Sequence, residues 1–404
     1  MANPSIARPP RAEASAHGAG ACSLAGGLAT GRDAGIEALR GLAVLLMVAG
    51  HVIGMDAECG LQVEPDSGWR RAYYTLSPVR MPLFTAISGF VYGLHPAVRQ
   101  HWRRFASGKL RRLLVPLVVV GGAFVVARAI VPGTNGGDSV PGLPWLLIVP
   151  YAHFWYLYAL AWVFALVGVL DAFGWIARRW QLALLLAGAL ALKASGLLET
   201  PILGISHAQY LLPYFVLGLG IQRFSLGRGW RAAGALIALG TVAVAVHQRH
   251  WAGVPWPSEL TRYAVSTTIG LAAVTLALVH RVACAALAML GPFSYGIYLM
   301  HVFGTAGSRI VLQRAGVDDL VVLAAVGLAA GIALPVAVEL AIARNRCLVL
   351  LVLGRRPARD RPAGGPLRLA PAPAWRGPAR DAPATDRRSP PARTRAPRGR
   401  ALPR

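Results

Sequence analysis

The sequence is poor in charge and especially in acid. Only 14% of its 404 residues are charged, and 17 Asp or Glu face 41 Lys or Arg. Soluble globular domains carry about 25% charged residues, so this composition excludes a chain of ordinary soluble domains. Hydrophobic residues make up 55% of the chain, and they occur in blocks as long as a bilayer-crossing helix requires. The composition therefore predicts an all-α polytopic membrane protein.

Cysteine is also scarce. The four cysteines are scattered and form no CxxC pair: Cys22, Cys59, Cys284 and Cys347. No disulfide framework and no metal site are predicted from them. The first 35 residues lack the sustained apolar core that a signal peptide has. We therefore expect residues 1–35 to form a flexible cytoplasmic leader.

The net charge of +24 is concentrated at the C-terminus and in short loops. The last 50 residues hold 14 arginines and 3 aspartates. Residues 354–404 are rich in Pro, Ala and Arg without apolar periodicity, which predicts a disordered, solvated tail. Weak attraction of this tail to anionic lipid is the alternative. No folded basic domain is apparent, so the predicted partner is the lipid bilayer and not nucleic acid.

Ten hydrophobic segments are long enough to cross a bilayer as helices. They cover 36–54, 78–95, 113–131, 147–169, 181–198, 208–224, 232–247, 263–280, 285–306 and 320–342. The loops between them alternate in charge. One set carries twelve basic residues and one acid, and the other carries six basic residues and nine acids. Because basic loops stay in the cytoplasm, this alternation predicts about ten transmembrane helices with both termini cytoplasmic.

The first predicted span carries two basic side chains, Arg40 and His51. A basic group inside hydrocarbon costs about 2.5 to 3.5 kcal/mol. On a helix, their spacing places them within about 20° of one face and about 16 Å apart along the axis. Because this span is predicted to run outward, Arg40 lies near the cytoplasmic side and His51 in the outer half. Arg40 alone could be a headgroup anchor and His51 alone a packing residue, but together they favour a functional pair.

Other polar side chains are predicted at a similar depth to His51. His153 lies near the outer end of the fourth span, and Ser88 lies in the second. Ser294, Tyr298 and His301 share one face of the ninth span because their spacing is i, i+4 and i+7. Each of these residues alone also fits helix packing, and the tyrosine fits an interfacial aromatic belt.

A basic cluster precedes the third span. The segment GKLRRLLVPL contains Lys109, Arg111 and Arg112. Basic residues are expected on the cytoplasmic side for topology alone. The functional alternative is anion binding, because a planar guanidinium suits phosphate in a bidentate manner. An anion-binding inner mouth below His51 indicates a cofactor that threads across the membrane.

Five segments together resemble the membrane-bound acyltransferase-3 family of bacterial O-acyltransferases. The most diagnostic element is an Arg-x10-His pair, here Arg40 and His51. MPLFTAISGF is similar to the family's MPLFFFLSGF-type segment, and KLRRLLVPL to its RR-x-x-x-P element. HFWYL is similar to a His-x-Trp-Phe-Leu element, and GPFSYGIYLMH to an SYxIYLxH element. The resemblance covers roughly residues 33–350 and implies one membrane acyltransferase domain over 36–353.

The resemblance implies an activity and a location. An acyl group, expected to be acetyl, would move from cytoplasmic acyl-CoA as co-substrate to a hydroxyl of a cell-surface glycan, glycolipid or related acceptor. The protein would be a multi-pass protein of the bacterial cytoplasmic (inner) membrane. His51 would be the base that takes the hydroxyl proton, and Arg40 would hold the donor or polarise its carbonyl. The cofactor-binding residues would be Lys109, Arg111 and Arg112. The residues that orient His51 or bind the acceptor would be Ser88, His153, Ser294, Tyr298 and His301.

One departure and one alternative accompany this resemblance. Many relatives have His before the MPLF segment, where this chain has Arg80, so their acceptor preference does not carry over. A transporter or flippase in which Arg40, His51 and His301 line the path fits the intramembrane charges equally well. The two matching halves typical of transporters are not found in the sequence. The sequence leaves open the acceptor, the acyl length and the oligomeric state. It is also compatible with two roles for His51, a general base or a transient acyl carrier.

Overall fold

A computed structural model of the chain describes residues 33–135 and 142–356. Within these ranges there is no β-strand, and thirteen α-helices make up most of the chain. They are α1 (Ala34–Ile53), α2 (Gly68–Leu94), α3 (Trp102–Pro116), α4 (Gly122–Ile130), α5 (Trp155–Ala172), α6 (Arg179–Ala194), α7 (Ile205–Phe224), α8 (Trp230–Trp251), α9 (Glu259–His280), α10 (Ala285–Leu290), α11 (Ser294–Arg314), α12 (Leu320–Ile342) and α13 (Arg346–Leu353). The prediction of an all-α fold is confirmed.

Eight helical stretches among the described residues are long and apolar enough to cross a membrane. They are Ala34–Ile53, Arg99–Ile130, Pro144–Ala172, Ile202–Phe224, Trp230–Trp251, Glu259–His280, Ala285–Arg314 and Leu320–Ile342. The second of them consists of α3 and α4 joined by a π-helical segment, Leu117–Gly121. The chain is therefore a multi-pass membrane protein, as predicted. The side on which the termini lie stays a prediction.

The other two predicted spans are also helices, but they fall short of that standard. Helix α6 has only 16 residues, about 24 Å of helix, whereas a bilayer core is about 30 Å thick. Helix α2 has 27 residues, but its polar residues and prolines, Arg80 among them, lower its hydropathy. Helix α2 instead packs against α1, α7 and α9. Its sequence suits an interior helix that carries polar groups into the bundle.

Helix α1 carries both Arg40 and His51. Asp33 caps its N-terminus by accepting hydrogen bonds from the backbone N–H groups of Gly35 and Ile36, at 3.0 and 3.2 Å. Gly54 ends the helix in a conformation with φ of +86° that favours glycine. The helix packs against α2, α10, α11 and α12. Protein therefore surrounds α1 on several sides.

Helices α2 and α7 approach each other closely. A Cβ atom added at Gly89 would collide with the backbone of Phe215, and one added at Gly218 would collide with the backbone of Ala86. Small residues at a membrane helix interface let the backbones pack at short distance. Gly89 and Gly218 thus permit the close approach of α2 and α7.

A buried arginine holds the end of α1 in place. Arg70 of α2 donates hydrogen bonds to the backbone carbonyls of Gly54, Asp56 and Val63, the latter two at 2.6 and 3.0 Å. These carbonyls belong to the loop that follows α1. Carbonyl partners satisfy the donors of a buried guanidinium, so this arginine is structural. The result is a fixed loop next to the C-terminal turn of α1, which carries His51.

The predicted terminal segments are only partly described. Most of the predicted leader, residues 1–32 including Cys22, lies outside the described residues, and so do residues 357–404 of the predicted tail. The first three residues of that tail, 354–356, are described. The carbonyl of Gly354 accepts a hydrogen bond from Nε of Arg111 at 3.2 Å. The start of the predicted tail is therefore attached to α3.

Candidate active site

Three histidines meet where α1, α5 and α11 come together. The ring centroid of His51 lies 4.7 Å from that of His301 and 6.1 Å from that of His153. The rings of His153 and His301 are 4.8 Å apart. His301 is fully buried and His153 nearly so, whereas His51 is exposed. His51 therefore faces open space, while its two neighbours are enclosed behind it.

His153 is held by the first turns of α11. It lies in a 3₁₀ turn, Ala152–Phe154, just before α5. The hydroxyl of Tyr298 donates a hydrogen bond to the backbone carbonyl of His153 at 2.8 Å. In return, Nε2 of His153 donates to the backbone carbonyl of Leu299 at 3.2 Å. These reciprocal bonds lock the 3₁₀ turn against α11 and hold His153 next to Tyr298.

The hydrogen bonds of the two enclosed histidines determine which ring nitrogen carries the proton. Nδ1 of His301 contacts the carbonyls of Ile297 and Tyr298 at 3.1 and 2.9 Å. A carbonyl only accepts, so Nδ1 of His301 carries the hydrogen, and its Nε2 has a lone pair. By the same argument Nδ1 of His153 has a lone pair. Among the described residues neither lone pair has a partner. Two acceptor atoms thus lie buried beside His51.

Three adjacent histidines raise the question of a metal. Among residues 33–135 and 142–356, no group of three or more His, Cys, Asp or Glu side chains has a geometry suited to a metal ion. The rings of His51, His153 and His301 meet in tilted or edge-on arrangements. A ring nitrogen of each enclosed histidine is already used by a carbonyl. The arrangement suits proton transfer and hydrogen bonding at His51.

Arg40 lies three helical turns from His51 on α1, as predicted, but it is not a bare cation. Its Nη1 lies 3.2 Å from Oε1 of Glu37, one turn earlier on the same helix. The backbone and the carboxylate of Glu37 also pack on Gly291. The sequence analysis missed Glu37, although its i,i+3 spacing from Arg40 in EALR indicated an ion pair. This pair keeps the guanidinium in place inside the bundle.

The predicted basic cluster lines a groove. Arg111 and Arg112 border a cavity of about 530 Å³ together with Arg104, Arg355 and Arg356. No acidic side chain borders this cavity among the described residues. A concave surface with several guanidinium groups suits a ligand with more than one phosphate, because each planar group can bind oxygens in a bidentate manner. The structure thus brings the predicted basic residues together.

The side chains within the basic groove differ in orientation. Lys109 also borders the groove, but its Nζ lies 3.7 Å from the ring centroid of Phe164 on α5. The guanidinium of Arg112 lies 5.0 Å from the ring centroid of Tyr295, whose hydroxyl donates to the carbonyl of Arg112. Lys109 thus has the closer cation–π contact. The arginines are the stronger candidates for binding an anion, because their planar guanidinium groups bind oxygens in a bidentate manner.

The basic groove and Arg40 are neighbours. Arg112 is close enough to Arg40, Arg355 and Glu339 for their charges to act on it. Nη1 of Arg355 forms an ion pair with Oε1 of Glu339 at 2.6 Å. The sequence analysis missed Arg355 and Glu339 because the former was assigned to the tail and the latter to an apolar span. Helix α1 therefore has the basic groove near its Arg40 end and the histidine cluster near its other end.

The two predicted serines lie on α2 and at the start of α11. The hydroxyl of Ser88 donates to the carbonyl of Phe84 in its own helix at 3.0 Å. Ser294 is buried at the start of α11, one turn before Tyr298. Neither serine has a described hydrogen bond to a histidine of the cluster. Their predicted role in orienting His51 or binding the acceptor stays a prediction.

Fold and geometry define an integral membrane protein with a basic groove near the Arg40 end of α1 and a histidine cluster near its His51 end. The family model described as an acyltransferase domain (Acyl_transf_3) matches residues 33–342. This is most of the chain, so the protein belongs to the acyltransferase-3 family and is a membrane acyltransferase, as its sequence motifs indicated. No curated protein and no solved structure matches the chain.

Proposed function

We propose that this protein is an acyl-CoA-dependent O-acyltransferase of the bacterial cytoplasmic membrane. The acyl group, expected to be acetyl, moves to a hydroxyl of a cell-surface glycan, glycolipid or related acceptor. The observation that carries the proposal is the position of two sites along one helix. The basic groove lies near Arg40, the histidine cluster includes His51, and about 16 Å of α1 separates the two residues.

The basic groove suits the donor. Coenzyme A carries three phosphates, and Arg111, Arg112 and Arg355 all border the groove. From there the extended pantetheine arm follows α1 past Arg40 towards His51. Arg40, held by Glu37, lies along this route, where its guanidinium polarises the thioester carbonyl or holds the arm. The alternation of loop charges supports a cytoplasmic position for the basic groove, and acyl-CoA is made on that side.

His51 is the general base in this proposal. Its ring takes the proton of the acceptor hydroxyl while the hydroxyl oxygen forms a bond to the thioester carbonyl carbon. The carbon–sulfur bond then breaks, and the proton passes from His51 to the departing CoA thiolate. The products are the acyl ester of the acceptor and CoA. The buried lone pair on His301 accepts the other N–H of His51, which orients the ring as a carboxylate does in a catalytic triad.

The test is transfer of radiolabelled acetyl from acetyl-CoA in membranes that contain wild-type protein or His51→Ala. Transfer to lipid or glycan is expected in the wild type and its loss in His51→Ala, because a general base contributes about 10²- to 10⁴-fold. His280→Ala is the matched control, since His280 is exposed at the end of α9. Full transfer by His51→Ala at normal protein levels would remove His51 as the base.

A further inference from the structure

The side chain of Arg80 packs against Gly50, the residue before His51. At Gly50, the three atoms nearest to where a Cβ would stand all belong to Arg80 of α2, with Cζ at 2.7 Å. The absence of a side chain at Gly50 thus makes room for the guanidinium. Arg80 and His51 are close enough for their charges to interact. Because Gly50 and His51 are consecutive, both functional groups border the same part of the bundle.

Arg80 has no acid to neutralise it among the described residues. The ion pairs of this part of the chain involve other arginines. Its Nε is buried and has no hydrogen-bond partner there. The described contacts of its guanidinium are aromatic, with the ring centroid of Tyr73 at 4.0 Å and the hydroxyl of Tyr210 within range of its charge. Aromatic faces attract a cation but leave its N–H donors unsatisfied.

Arg70, ten residues earlier on the same helix, is an arginine whose hydrogen-bond donors are satisfied by the protein itself. Its guanidinium is satisfied by the three backbone carbonyls of Gly54, Asp56 and Val63. Arg80 has no comparable partner, and it is only half-buried, so a ligand can reach it. An intramembrane cation with spare donors and an open side is a binding group for an anion.

We propose that Arg80 selects an acceptor that carries a negative charge, a carboxylate or a phosphate, close to the hydroxyl that is acylated. The proposal rests on the function proposed above, in which the acceptor hydroxyl lies against His51. The Arg80 guanidinium lies on Gly50, the residue before His51, and its charge reaches the His51 ring. A guanidinium binds either anion in a bidentate manner. Arg80 thereby positions the acceptor while His51 takes its proton.

The test compares three acceptors that share an aglycone: phenyl β-glucoside, phenyl β-glucuronide and phenyl β-glucoside 6-phosphate. Transfer is measured with the full-length protein in lipid nanodiscs and labelled acetyl-CoA. Binding of each glycoside without donor is measured in parallel by saturation-transfer NMR. In the wild type we expect higher kcat/KM for at least one anionic acceptor than for the neutral one. The anionic acceptor that is preferred shows whether Arg80 selects a carboxylate or a phosphate.

Two variants address Arg80 independently. Arg80→Gln removes the charge, and Gly50→Ala displaces the flexible end of the side chain while retaining it. Both should reduce the ratio of anionic to neutral kcat/KM by about tenfold or more, because each removes a charge-assisted hydrogen bond. The controls are Arg249→Gln, at an exposed arginine of α8, and Gly307→Ala, where an added Cβ meets nothing within 4 Å. Both controls should keep the wild-type ratio.

Each outcome separates this proposal from the function on which it rests. Arg80-dependent binding of an anionic glycoside without any transfer supports the selection by Arg80 and contradicts the acyl transfer. Equal transfer to all three acceptors supports the acyl transfer and overturns the selection. An equal loss in Arg80→Gln for every acceptor and for acetyl-CoA hydrolysis also overturns it, since Arg80 would then act on the acyl group. The absence of any preference for an anion in wild-type binding and transfer has the same consequence.

Discussion

The imidazole rings of His51 and His301 lie 4.7 Å apart between centroids, one exposed and the other fully buried. Nδ1 of His301 is committed to two carbonyls of its own helix, so its Nε2 is left with a lone pair and no partner among the described residues. A protonated or neutral His51 can donate to that lone pair. The pair thus has the form of a base with a fixed neighbour that sets its orientation.

Replacing His301 tests this relationship. His301→Leu should lower kcat by about 10²-fold, since a small displacement of a catalytic group costs about that much. The KM for acetyl-CoA should change little, because the basic groove is at the other end of α1. His301→Gln, whose amide oxygen can accept a hydrogen bond, should recover part of kcat. If His301 were purely structural, each variant would lose activity only in proportion to its loss of folded protein, and His301→Gln would show no specific recovery of kcat.

Tyr298 is expected to stabilise the fold through its bond to His153. Tyr298→Phe removes the 2.8 Å hydrogen bond to the buried carbonyl of His153. The free energy of unfolding should fall by about 1 to 3 kcal/mol because that carbonyl loses its partner. Tyr158→Phe is the control, since the Tyr158 hydroxyl is buried without a partner among the described residues. Thermal unfolding of purified protein in detergent measures both, and equal melting temperatures for the two variants would contradict the assigned role of the bond.

The basic groove should govern affinity for the donor. The double variant Arg111→Ala and Arg112→Ala should raise the Kd for CoA by about 10- to 100-fold, through loss of charge-assisted hydrogen bonds. The matched control is Arg228→Ala with Arg231→Ala, which removes the same charge from exposed positions just before α8 and in its first turn. Isothermal titration calorimetry gives both values. Unaltered CoA affinity in the first variant would reassign its arginines to membrane topology.

The first residues after α13 should belong to the same groove. A chain that ends after Arg356 retains Gly354 and Arg355, which border the groove. It should bind CoA as the full chain does. A chain that ends after Leu353 loses the carbonyl bonded to Arg111 and leaves Glu339 without its 2.6 Å ion pair. Its CoA affinity should be weaker by about tenfold, and indistinguishable affinities for the two truncations would place the donor elsewhere.

Cys59 offers a test of topology and of thiol chemistry together. Burial, a hydrogen bond to Asp56 and the charge of that carboxylate raise the pKa of Cys59 to about 11. At pH 8 only about 10⁻³ of this thiol is thiolate, and that fraction rises about tenfold for each pH unit up to the pKa. In intact spheroplasts, an impermeant methanethiosulfonate should therefore label Cys59 slowly and faster with rising pH.

The predicted orientation gives the other two described cysteines the opposite behaviour. Cys284 and Cys347 are exposed, and the loop charges place them in the cytoplasm. They should react with the same reagent only after the membrane is permeabilised. Labelling of Cys284 in intact spheroplasts would contradict the predicted orientation. Labelling of Cys59 at a rate independent of pH would contradict its raised pKa.

The sequence predicted the membrane class and most helices because both depend on local patterns. A run of about 20 apolar residues has few alternatives to a membrane helix, since every backbone polar group must be paired within the bilayer. The two segments that fall short by length or hydropathy are α2 and α6. Helix α2 carries Arg80 into the bundle, so the polar group that weakens its signal as a span is also the one that approaches His51.

The candidate site was predicted in part. The spacing of Arg40 and His51 follows from helix pitch alone, and the Lys/Arg run before the third span indicated an anion site. The ion pairs Glu37–Arg40 and Glu339–Arg355 were missed. The second joins residues from a span and a predicted tail, and only the packing of α12 against α13 brings them together.

The sequence by itself determined which residues can carry the chemistry and, through helical periodicity, which of them share a face. Tertiary structure alone decided that the buried His153 and His301 lie beside His51, and that Arg80 lies on Gly50 next to it. The physical reason is that periodicity fixes angles within one helix, whereas the rotation and depth of one helix against another depend on contacts such as Gly89 with Phe215. Those contacts join residues far apart in the chain, and no local pattern encodes them.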